Sequence, residues 1–107
     1  MSYKFNYKTN AMTLCEFTEE LARVCGEWFI NEHQPVVLKN APKLYEDRAL
    51  VYVVYRCSCC RDTVAYYERK VKEYTSRDVP CPGMKKSLEE TRSELNSMEA
   101  LIADMLS

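Results

Sequence analysis

Seven residues near the C-terminus, Met84, Leu88, Thr91, Leu95, Met98, Ile102 and Met105, recur at alternating spacings of four and three. A 3.5-residue period is the a/d seam of a coiled coil. It predicts a helix over about 84–106 with Thr91 as its one polar seam position. Leu101 and Leu106 widen the apolar side. Each buried aliphatic side chain gains about 1.5–3 kcal/mol over exposure, so such a stripe demands a cover. The segment from Ser76 to Gly83, with Pro80 and Pro82, breaks the chain before this helix. The expected organisation is therefore a small domain over 1–82 and a self-association helix over 83–107. Leu88, Leu95, Met98, Ile102 and Met105 would meet a second copy, giving a homodimer or higher oligomer.

Upstream, the pattern reads as α+β. Tyr3, Phe5 and Tyr7 alternate with Lys4, Asn6 and Lys8, which suits a short strand with one wet face. Thr13 and Glu16 form a capping box, followed by Leu14, Phe17, Leu21, Val24, Cys25, Trp28 and Phe29 at helical spacing. This predicts a helix over about 13–32 that buries Trp28, with Cys15 and Cys25 as small core hydrophobes. Val36-Val37-Leu38, between Pro35 and Pro42, reads as a second strand. The β-branched run from Ala49 to Arg56 reads as a third, central one. Asp62 is placed to cap a helix over about 62–76 whose inward stripe is Val64, Tyr67, Val71 and Tyr74. The expected fold is a small sheet of about three short strands packed with two helices, plus the C-terminal coiled-coil-like helix.

Chemistry concentrates in Cys57-Ser58-Cys59-Cys60. Cys57 and Cys60 have C-x2-C spacing, and Cys81 with a fourth ligand from His33, Cys25, Cys59 or an outside group would complete a tetrahedral zinc set that stiffens a small fold. Only half of the usual double C-x2-C pattern is present. The same pair at a strand-to-helix junction would alternatively suit a thiol-disulfide oxidoreductase, because a helix N-terminus favours the thiolate. The third reading is a thiol-rich turn with no ligand.

Composition narrows the function further. The chain of 107 residues is 47% hydrophobic and 29% charged, values of one ordinary globular domain. A net charge of −1 argues against a coat for nucleic acid. No GxGxxG, P-loop, HExxH or GxSxG motif occurs, and one His with two Gly leaves little for hydrolase or nucleotide chemistry. No apolar h-region opens the sequence, and the longest apolar run is too short to span a bilayer, so an intracellular protein of cytoplasm or nucleus is expected. The middle of the chain, residues 41–83, is mildly basic at +8/−6. There Arg56, Arg61, Arg69, Lys70 and Tyr66 suggest a surface for RNA or DNA, although Glu68–Lys72 and Glu73–Arg77 already pair much of the charge.

The leading expectation is a non-enzymatic, self-associating module or regulator that engages another protein. A nucleic-acid-binding regulator and an oxidoreductase are the alternatives. In layout, a cysteine-bearing domain followed by a short coiled coil, the chain resembles the small cysteine-rich viral proteins that act as regulators or silencing suppressors. The likeness is one of layout, since Cys25-Gly26 lacks that group's closely following His.

Overall fold

A computed structural model describes residues 12–107, and these form an all-helical fold. Helix α1 spans Leu14–Cys25, α2 Gln34–Glu46, α3 Arg48–Ser76 and α4 Pro82–Leu106, with a π-helical turn at Phe29–His33 between α1 and α2. No strand occurs among the described residues. The expected sheet is thus corrected: Val36-Val37-Leu38 lies inside α2, and Ala49 to Arg56 inside α3. The alternating stretch over 2–8 falls outside the described residues.

Local chemistry explains each start and stop. The capping box is formed: Thr13 Oγ1 accepts from the Glu16 amide at 3.1 Å, and Glu16 accepts from the Thr13 amide at 2.9 Å. The predicted first helix ends earlier than expected, because Gly26 takes the left-handed region (φ +63°) and closes α1 with its amide on the Ala22 carbonyl at 2.8 Å. The Gln34 amide then reaches back to the Phe29 carbonyl, five residues away, which makes the π turn. Trp28 consequently sits half-buried at the edge, its ring 3.9 Å from that of His33, and not in the centre of the core. Pro35 enters α2 in the first turn, where a missing N–H costs little.

Helix α3 runs 29 residues without a break. Its cap is Asp47, whose carboxylate accepts from the amides of Ala49 and Leu50 at 3.0 and 3.3 Å. Asp62, expected as a cap, lies in mid-helix and pairs with Arg23. The helix ends where Asp78 turns left-handed (φ 60°) and the Val79 amide bonds the Tyr74 carbonyl at 2.9 Å, a Schellman-type closure.

Together the helices alternate in direction. Helix α2 ends beside the start of α1, where Tyr45 meets Phe17 edge-on at 5.8 Å. Helix α3 then rises alongside α1, so that Arg23 reaches Ser58 and Asp62, and Arg61 reaches the Val24 carbonyl. Helix α4 returns antiparallel to α3, with Arg92 on Glu68 and Arg61 on Glu99. Phe17, Leu21, Val24, Phe29, Val37, Leu50, Val54 and Ile102 are buried in one core. That core includes Leu88, Leu95 and Leu106, so it crosses the expected 82/83 boundary. The result is a four-helix bundle at one end and an α3–α4 hairpin arm at the other.

Candidate docking face

The expected site residues scatter in a way that helix geometry explains. Cys57 and Cys60, one turn apart, occupy the α3 seam that continues into Val64, Tyr67, Val71 and Tyr74. C-x2-C spacing here is the three-residue step of a heptad, and it puts both thiols against α4. Cys81 sits at the N-cap of α4. The sixteen helical residues after Cys60 place it about 24 Å down the arm. His33 meets the Trp28 ring at a tilt of 49°. Among the described residues no three His, Cys, Asp or Glu side chains converge as a metal set. Cys15, assigned to the core by sequence, is exposed, and Cys25 is half-buried.

The buried thiols are also poor nucleophiles. Desolvation, reinforced by the charge of Glu99, pushes Cys57 up to about 12. The same causes take Cys25 to about 11. Cys60 is raised by burial and by Glu94, toward which its thiol points at 3.8 Å. An active redox pair needs the opposite shift.

Of the basic set, Arg61 is consumed internally: it donates to the Val24 carbonyl at 2.6 Å and meets Glu99 at 3.4 Å. Arg69 and Lys70 both stand over the Tyr66 ring at 5.9 Å. Arg56 lies apart from them, beside Cys60. The structure therefore keeps Tyr66, Arg69 and Lys70 as one small group and separates it from Arg56 and Arg61.

What the sequence did not reveal is how the hairpin divides into two flanks. The back flank holds the ion pairs Arg61–Glu99 and Arg92–Glu68, the second at 2.5 Å. Helix α1 packs on this side through Arg23, which binds Asp62 at 3.0 Å and also donates to Ser58. Beyond α1 the back flank carries a groove of about 660 Å³, but its wall includes Glu68, Lys72, Thr75, Ser76 and Arg92.

The front flank is set by 3.5-residue stripes on both helices. On α3 the stripe is Val53, Arg56, Cys60, Thr63, Tyr67, Lys70 and Tyr74. On α4 it is Met84, Ser87, Thr91, Glu94, Met98, Leu101 and Met105. The Cys60 thiol, which donates to the Thr91 carbonyl at 3.4 Å, fixes the two stripes on the same side. The seam's deeper members Leu88, Leu95 and Ile102 are buried on the chain's own α3, which accounts for most of the stripe assigned by sequence to a second copy. Val53, Tyr67, Tyr74, Met84, Met98 and Met105 remain half-buried, and Leu101 is 47% exposed. Helix α1 lies behind the hairpin, on the Ser58–Asp62 side, and α2 packs mainly on α1 and the π turn, and less on α3.

No protein-family model, curated protein or solved structure is detectably similar to the chain. No helix among the described residues is long and apolar enough to cross a membrane.

Proposed function

We propose that this is a non-enzymatic helical interaction module that docks another protein on the front of the α3–α4 hairpin. The observation that supports it is the set of partly exposed Tyr67, Tyr74, Met84, Met98 and Met105, with exposed Leu101, spaced along the same side of both helices. Methionine is flexible and polarizable, and it suits surfaces that adapt to an apolar partner. Tyrosine adds apolar area with a polar tip at small entropic cost. The inward thiols and the paired arginines belong to the scaffold that holds this face flat.

A photo-activatable benzoylphenylalanine tests the reading. Placed at Leu101 on the front, in the cell that makes the protein, it gives a discrete covalent adduct with a protein identifiable by mass spectrometry. Placed at Glu89 on the other side of α4, it gives none. Equal adducts from both positions, or none from either, reject the reading.

A further inference from the structure

The front face carries its charges asymmetrically, and that asymmetry selects an occupant. Its cations, Arg56 and Lys70, stand on α3, and its anion, Glu94, stands on α4. Arg56 and Glu94 flank Cys60 from opposite helices. We propose, resting on the docking reading above, that the face is covered by a second copy of this chain, turned about a two-fold axis parallel to the hairpin. That axis lays each α3 on the α4 of the other copy and leaves every residue at its own height along the arm. Arg56 of one copy then lies within about one helical turn of Glu94 of the other, twice per dimer. A two-fold axis across the helices would set α3 on α3 and bring Arg56 and Lys70 toward their own counterparts, which like charge opposes.

Size agrees with this assignment. Each stripe is 22 residues from first to last member, a length of about 33 Å. Two helices side by side present a width of about 18 Å. The face is then on the order of 600 Å² per copy, at the lower edge of specific interfaces. Tyr67 and Met98 lie next to its middle, beside Thr63 and Glu94, so the charged groups stand among the apolar ones along the face. Thr63 and Thr91 within the stripes keep it from being a uniformly greasy patch.

Sedimentation equilibrium of the full-length, reduced protein from about 5 to 200 µM, a range suited to a small interface, reads the result. The expected outcome is a reversible dimer. Arg56→Glu and Glu94→Arg each weaken it about tenfold, because the two-fold axis counts every change twice. Both side chains are exposed, so the helical circular dichroism stays native in each variant. The decisive sample is the equimolar mixture of the two variants. Each interface in the mixed dimer pairs opposite charges again, and association returns to within about threefold of the parent. Rescue by mixing requires contact between chains, since contacts within a chain do not change on mixing. A protein that stays monomeric at 200 µM overturns the assignment, and so does a mixture no stronger than its components. A monomer whose Leu101 probe still captures a different protein rejects self-association and leaves the docking reading standing. A dimer indifferent to both charge changes and to Met98→Glu rejects the face itself.

Discussion

The Cys60 thiol donates to the backbone carbonyl of Thr91 across the helix pair, at 3.4 Å. A cysteine that sequence spacing would offer to a metal thus spends its proton on the neighbouring helix. Thr91, the polar member of the α4 seam, turns its own hydroxyl back to the Ser87 carbonyl at 2.7 Å, so the seam holds no unpaired polar side chain there.

This arrangement makes thiol accessibility a test of the packing. Cys15 and Cys59 are exposed, whereas Cys57 is fully buried and Cys60 nearly so. In native protein a maleimide should modify Cys15 and Cys59 quickly. Cys57 and Cys60 should react only at the rate of opening or global unfolding. Peptide mapping after timed labelling checks this, and Cys57 labelled as fast as Cys59 contradicts the buried seam.

Alkaline pH should weaken the fold through Cys57. Its folded thiol titrates at about 12 against an ordinary value of 9.0. The group is raised on folding, so its contribution is full below pH 9 and is lost as pH climbs toward 12. Other groups titrate in that range, so the comparison is with Cys57→Ala. The variant should be less stable at pH 7, from the lost side-chain volume, yet show a shallower decline in urea midpoint above pH 9. Parallel declines would place the thiol outside the core.

At the acid end the group to watch is Glu20. Burial by itself would raise its carboxyl, but hydrogen bonds with Arg23 and Ser58 and the charge of Arg23 bring it below the ordinary 4.5. The sign is reversed from the thiol: stability is present above pH 4.5 and falls as the pH drops through the lowered value. Glu20→Gln should lower the urea midpoint at pH 7 and flatten its loss below pH 4.5. An acid limb unchanged from the parent would show that Glu20 carries none of it.

Arg61 ties three elements together by binding the Val24 carbonyl at the end of α1 and Glu99 on α4. Arg61→Ala should cost about 1 kcal/mol, since it strands the carbonyl of buried Val24 while Glu99, partly in water, is rehydrated. The exposed Arg69→Ala, eight residues on, should stay within about 0.5 kcal/mol of the parent. Chemical denaturation of the pair decides whether Arg61 is structural or a free surface cation.

Much of the helical grammar was legible beforehand. The α4 seam predicted that helix nearly to its ends, and Thr13 with Glu16 marked the first turn of α1. The stripe Val64, Tyr67, Val71 and Tyr74 named the inward side of the arm without showing that α4 was its cover. The failure lies at Ala49 to Arg56. Leu50, Val51 and Val54 are buried at helical spacing, but Tyr52, Val53 and Tyr55 between them are also partly covered, which hides the period. β-Branched residues oppose a helix by less than about 1 kcal/mol each, too little to resist packing on three sides and the Asp47 cap. Reading those residues as a strand end then put Cys57 and Cys60 at a strand-to-helix junction, and the redox expectation rested on that step. The division of the hairpin into a charged back and a Met/Tyr front could not be read at all, because it depends on which side α1 chooses.

That choice has a consequence during synthesis. The loop between α3 and α4 is only a few residues, yet the contacts that close the arm join positions 24 to 38 apart, from Glu68–Arg92 to Arg61–Glu99. Helix α1 faces a similar delay. Its buried stripe, Phe17, Leu21 and Val24, rests on α3 residues that follow more than 25 positions later. At roughly 5–20 residues per second, α1 spends some seconds outside the ribosome with only α2, through Tyr45 on Phe17, to cover its apolar side. The Thr13–Glu16 cap and the Gly26 stop, both within α1's own sequence, are what hold its ends during that interval. Helix α1 thus waits for α3 with both of its termini locally closed, as those of α3 are by Asp47 and the Asp78 turn.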